Sequence, residues 1–273
     1  MPELRVLLEG LAIGESPRWH DGRLWLSNWL TQEVVAVDLD GKSEVVASVP
    51  TTIPYSIDWL PDGRLVVTSG PEGLVLRQEP DGSLVRHADL TGLTGMDGPL
   101  NEIVVDGRGN IYVNSGSGVA LIPAAGTPRQ VAGGLAFGNG MAVTADGATL
   151  IVAESHGGQL SAFDIAADGS LSAGRAWARL DGGHPDGICI DAEGAVWYAD
   201  VPGRCCVRVR EGGEVLQAVD ADRGCFACML GGPDGRTLFV AAAEWHGFDK
   251  IWDQPRTGQV LTARAPAPHA GRP

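Results

Sequence analysis

Glu15-Ser-Pro-Arg-Trp19-His-Asp-Gly22-Arg-Leu-Trp-Leu-Ser27 places an oxygen-bearing side chain, an Asp-Gly turn and an apolar run in close succession. The unit recurs along the chain. Acidic-Gly pairs stand at Asp21-Gly22, Asp62-Gly63, Asp106-Gly107, Asp146-Gly147, Glu193-Gly194 and Asp234-Gly235, spaced 41, 44, 40, 47 and 41 residues apart. A steady period in the low forties is the signature of a repeat architecture. Each pair precedes a short run: Leu24–Ser27, Leu65–Thr68, Ile111–Asn114, Leu150–Ala153, Val196–Ala199 and Leu238–Ala241. Apolar runs this short, bounded by Gly and Asp, suit buried strands better than helices.

Further strands and a second hairpin follow in most units, as in Val34–Asp38, Asp40-Gly41 and Glu44–Val46. About four antiparallel strands per unit make one blade, so the sequence predicts an all-β, six-bladed β-propeller. The alternative with similar strand spacing is a β-sandwich, which has no need of six near-equal units. The last unit is one strand short, because the proline-rich tail 265–273 lacks the donors a ladder requires. The unassigned strand Leu4–Leu8 is therefore expected to complete the last blade and close the ring, leaving no open edge where the ends meet. Residues 1–264 read as one propeller and 265–273 as a flexible tail.

The chain has 273 residues, with 39 glycines and 17 prolines, enough for one propeller made of tight turns. Its formal charge of −14 and lack of a basic cluster argue against nucleic acid as a partner. No apolar run approaches the ~20 residues of a membrane span. The N-terminus lacks the basic-then-apolar layout of a secretion signal. The five cysteines, odd in number and late in the chain, fit a reduced, cytoplasmic setting. These residues carry no sign of oligomeric state.

Residues at equivalent places on the innermost strands of a propeller form a ring. Aligned on the turns, that ring is Glu15, Tyr55, Asn101, Asn139, Asp186 and a position near Cys225. Two carboxylates brought together without compensation cost several kcal/mol or force one to hold a proton. A divalent cation removes that cost. Donors that are all oxygen suit Ca2+, Mg2+ or Mn2+ more than a structural zinc site. Taken singly, Asn and Asp at strand starts are often only turn caps; four at one repeat position carry the inference together.

At these residues the chain resembles the six-bladed senescence marker protein, regucalcin and gluconolactonase family. The resemblance is carried by Gly14–Trp19, Leu100–Asp106, Gly138–Val143, Pro185–Asp191 with Gly194–Ala199, and Cys225–Gly232. It implies a divalent-metal-dependent lactone hydrolase with Glu15, Asn139 and Asp186 on the metal. Ca2+ is the leading cofactor, with Mg2+, Mn2+ or Zn2+ as alternatives, and the partner is a small lactone or ester. By the same resemblance Asn101 binds the substrate or a water on the metal, and Asp186 is the general base. Sugar-lactonase members often carry an Arg two residues before the equivalent of Asn101; here that position is Pro99, which has no donor.

Tyr55 is expected to reach the channel mouth as a substrate contact or wall. His184, two residues before Asp186, is a candidate substrate contact and proton shuttle. His156 and His246 also fall near strand ends. Cys225-Phe-Ala-Cys228 lacks the βαβ context of a redox motif and reads as core. Most tryptophans read as core, with Trp29 and Trp245 placed to wall a pocket. Other functions compatible with the ring are a phosphotriesterase- or arylesterase-like hydrolase and a non-catalytic Ca2+-binding propeller. A scaffold propeller needs no convergent carboxylates.

Overall fold

The computed structural model describes residues 4–253 and 255–271. Six four-stranded antiparallel sheets follow one another, with strands in chain order within the first five. Blades 1 to 5 span residues 13–48, 57–89, 103–132, 138–179 and 185–220. Blade 6 takes Gly224–Gly231, Thr237–Ala243 and Gly258–Arg264 from the end of the chain, and its outermost strand is Arg5–Leu11. That strand pairs antiparallel with the last, Arg5 opposite Thr262 and Leu11 opposite Gly258. The ring is thus closed by the N-terminal strand, as expected. The first strand of every blade packs against the first strands of both neighbours, so these six strands surround the central channel.

The turns are set by local chemistry. Asp21 (φ 49°) and Gly22 (φ 75°) are both left-handed, the two-residue hairpin turn that matches strand twist. Blade 3 departs from the expected register. Gly107 is not the left-handed residue there; Gly109 is, at φ 84°, with its N–H bonded to Asp106 O. Asp106 opens the turn rather than lying within it: its carboxylate accepts the N–H groups of Arg108 and Asn110, and the turn closes from Asp106 to Asn110 as blade 2 closes from Leu60 to Arg64. Asp191 does the same for Glu193 and Ala195 in blade 5.

Glycines next to the candidate ligands allow the inner strands to approach. A Cβ on Gly187 would lie 2.5 Å from Ala227 Cβ and 2.7 Å from Ala227 Cα. Gly187→Ala is therefore expected to destabilise the protein by about 1–3 kcal/mol through overpacking. Thermal or urea melts check this, and an unchanged midpoint would contradict the packing described.

Residues 265–271, expected as a loose tail, are instead held against the far end of the channel. Ala265 N donates to Arg236 O, His269 N to Gly235 O and Ala270 N to Ile190 O, while Pro268 O accepts from Ala192 N. Ala265 and Ala267 are buried. Prolines there cannot extend a ladder, but their carbonyls still accept hydrogen bonds. Arg272 and Pro273 lie outside the described residues.

Candidate active site

Backbone bulges aim the site. Register shifts interrupt the innermost strands between Glu15 and Arg18, Gly138 and Met141, and Pro185 and Ile188. A bulge adds a residue to one strand and redirects a side chain. Glu15, Asn139 and Asp186 lie at these three bulges and, with Asn101, line one cavity of about 300 Å³ at the head of the channel. Asn101 Nδ2 donates to Asn139 Oδ1 at 3.3 Å, and Asn139 Nδ2 donates to Ser155 Oγ at 3.2 Å. His184, also on the cavity wall, is exposed at its rim, its backbone N–H held by Asp200.

Tyr55 has a different place from the one expected. Its neighbour Ser56 exchanges backbone contacts with Thr68 as Glu102 does with Asn114, so the alignment of the two blades holds. The side chain, however, turns away from the channel into the core between blades 1 and 2, beside Trp29 and Ile57. Its hydroxyl donates to Asn28 O at 2.6 Å and accepts from Glu33 N at 3.0 Å. Burying a large ring with its hydroxyl satisfied outweighs exposure at the channel. Burial pushes the Tyr55 phenol up. Cys225 is also fully buried, and Phe226 beside it lines the cavity instead. Cys225 and Cys228 are both core, as read from their spacing. Trp252, by contrast, is exposed.

The carboxylates stand in an uncompensated field. Burial raises Glu15 well above the usual carboxylate range, and Asp186 and Glu102 add to it; the Ser16 N–H and Arg18 oppose. Burial raises Asp186 as well, followed by Glu102 and Asp200, against a hydrogen bond from Asn139. Glu102 was not singled out in the sequence. It sits one tier below, where Oε1 accepts from Ser16 Oγ, Arg18 and Ile103 N at 2.9–3.1 Å. The Arg18–Glu102 ion pair is almost entirely buried. Arg18 also donates to Pro17 O and Ile103 O, which supplies the hydrogen bonds a buried pair needs. A charged residue directly before the apolar strand Ile103–Val105 was the available signal.

These donors fit a hard cation. The excess negative charge at Glu15 and Asp186 is what such an ion relieves, and the further donors are amide oxygens. The described residues contain no group of three or more His, Cys, Asp or Glu able to hold a metal, so the amides are essential to any such set. A second cavity, of about 310 Å³, lies at the opposite end of the channel. Arg18 and His269 are among its lining residues, and it lacks the Glu15–Asp186 pair.

The upper cavity has aromatic walls. Trp29, Phe137, Phe226, Trp245 and Phe248 line it with His156. Trp29 and Trp245 thus stand where the sequence suggested; Phe137, Phe226 and Phe248 were missed. Phe137 adopts φ 61°, a left-handed conformation costing a bulky residue roughly 1–2 kcal/mol. Its carbonyl accepts from Ser155 N, and its ring stacks on His156 at 4.6 Å.

Comparison with known proteins agrees with this architecture. A crystal structure described as a calcium-binding protein, regucalcin, from Agrobacterium tumefaciens superposes with a TM-score of 0.80 at 21% identity, covering 99% of this chain and 96% of that one. Regucalcin of Xenopus laevis is 28% identical over 93% of this chain and 91% of its own. The 6-deoxy-6-sulfogluconolactonase of Pseudomonas putida is 28% identical over 53% of this chain, an alignment spanning only 52% of that enzyme. Residues 13–244 match the family model described as SMP-30/Gluconolactonase/LRE-like region, and the chain belongs to that family.

Proposed function

We propose that this protein is a divalent-metal-dependent hydrolase that opens a lactone or related cyclic ester in the cavity at the head of the channel. One observation carries the reading: Glu15 and Asp186, raised by burial and by neighbouring carboxylates, share a cavity with the amides of Asn101 and Asn139. Family membership, and the lactonase among the relatives, support it. Glu15, Asn139 and Asp186 would hold the cation. Ca2+ is favoured by the oxygen donors and by the calcium-binding description of the Agrobacterium tumefaciens relative. The bound ion would supply Lewis-acid polarisation of the lactone carbonyl.

The side chains do the rest. Asn101 orients the carbonyl or the attacking water. Asp186 takes the water's proton as its oxygen adds to the carbonyl carbon. The ring C–O bond then breaks, and the departing oxygen recovers the proton from Asp186, giving the hydroxy acid. His184 at the rim contacts the substrate. Glu15, buried and beside Arg18, acts as a ligand only.

The same ring could polarise a phosphotriester or aryl ester, and the regucalcin likeness favours a second reading as a non-catalytic Ca2+ binder. The test is turnover of a panel of lactones, aryl esters and phosphotriesters, followed by proton release. Lactone turnover is expected to vanish in EDTA and return with Ca2+, Mg2+ or Mn2+. Cation binding with no turnover on any of them would leave the second reading; turnover indifferent to EDTA would refute the metal.

A further inference from the structure

We propose that the lactone this cavity accepts carries an aryl or alkyl substituent and is neither polyhydroxylated nor anionic. The inference deepens the hydrolase reading and rests on it for the position of the lactone ring. Glu15, Asn101, Asn139 and Asp186 lie together at its floor, where the carbonyl would sit, while the walls above are mostly aromatic rings, with the imidazoles of His156 and His184 among them. Trp245 links two of them, edge-on to Phe226 at 5.5 Å and to Phe248 at 4.9 Å. Phe137 and Phe248 are 40% and 65% exposed, large apolar groups that a bound apolar substituent would remove from water.

Above the floor, polar features of a substrate would meet His156, already stacked on Phe137, and His184 at the rim, but few other donors. Among the described residues no Lys or Arg lines the cavity, so a sulfonate, phosphate or carboxylate would approach Glu15 and Asp186 with no Lys or Arg to pair it. The Ser155 hydroxyl is already engaged, donating to Pro185 O at 2.7 Å and accepting from Asn139. None of residues 91–100 enters the cavity; Pro99 faces a neighbouring cleft, so that segment offers no donor to a sugar. Sugar hydroxyls buried against these rings would lose water without gaining partners.

The left-handed Phe137 points the same way. A strained residue persists when the surroundings over-determine it, and such residues cluster at ligand sites. Here the contacts of its carbonyl with Ser155 and of its ring with His156 hold it at the mouth.

The test compares 3,4-dihydrocoumarin, δ-valerolactone and D-glucono-1,5-lactone as substrates of the Ca2+-loaded protein. It also compares, by calorimetric titration, their inert lactam analogues 3,4-dihydro-2(1H)-quinolinone and gluconolactam. The bicyclic lactam is expected to bind about tenfold or more tightly than gluconolactam, with kcat/KM ordered the same way. Phe137→Ala should lower kcat/KM for dihydrocoumarin about tenfold and for δ-valerolactone by less. Phe248→Ala, at an exposed position, repeats the test if Phe137→Ala fails to fold. Equal or tighter binding of gluconolactam, or equal losses on the two test lactones, would overturn the proposal. If no lactone is hydrolysed, the hydrolase reading falls, and the lactam titrations alone decide the preference for apolar ligands.

Discussion

Asp186→Asn is expected to reduce lactone turnover by ~10³-fold, within the range a positioned general base contributes. The substitution keeps the shape of the side chain and an oxygen on the same atom. It removes the negative charge and the capacity to take a proton. Because Asp186 is proposed both to hold the cation and to accept the water's proton, both functions fail together, and kcat should fall even in saturating Ca2+. Circular dichroism and melting of the variant establish that the fold is intact, since relieving one buried negative charge removes repulsion from Glu15 and Glu102. Turnover near that of the parent in excess Ca2+ would remove Asp186 from the role of base.

The second large effect links stability to pH and metal. Glu15 and Asp186 are raised well above their ordinary values of 4.5 and 3.8. For an acid whose folded pKa is raised, the folded state holds protons that the unfolded chain has released. The stability this gives is complete below the ordinary values and is lost as pH climbs through the raised ones. In EDTA the melting temperature is therefore expected to fall from pH 5 towards pH 8. A cation that binds the ionised pair reverses the sign: it requires the carboxylates deprotonated, so its grip strengthens with pH. Ca2+ at a hundredfold over its Kd adds about 2.7 kcal/mol, or about 5–10 °C for a chain of this size. Paired melts in EDTA and Ca2+ across this pH range read both trends. Coincident curves would show that no divalent ion enters the carboxylate pair.

Much of the fold was legible because its determinants are local. Turn dipeptides and short apolar runs specify each hairpin, and equal spacing specifies the ring. Even the closing strand followed from a last unit one strand short. What escaped was the turn of blade 3, where Asp106 opens the turn instead of lying in it, so that Gly109 and not Gly107 is the left-handed residue.

The floor of the site was legible for the same reason: Glu15, Asn101, Asn139 and Asp186 each lie at or just before the start of an innermost strand, and strand starts meet at the head of the channel. Tyr55 occupies the corresponding backbone position, yet its direction depends on room between two blades and on acceptors at Asn28 and Glu33, far from it in sequence. Of the aromatic walls, Phe137 and Phe248 escaped because segments between strands place them. Phe137 depends on an unusual backbone angle and Phe248 on a short 3-10 turn at Phe248–Lys250. Neither leaves a periodic trace. Arg18 lay in full view within the opening motif, but its partner Glu102 is 84 residues away.

The pairing of Arg5–Leu11 with Gly258–Arg264 has a consequence for biosynthesis. Thr262 bonds to Arg5 across 257 residues, so the clasp of the hoop emerges from the ribosome long before the segment it fastens. Five blades can mature while that early strand waits with its edge unsatisfied. The hoop can lock only once the far strand has been made.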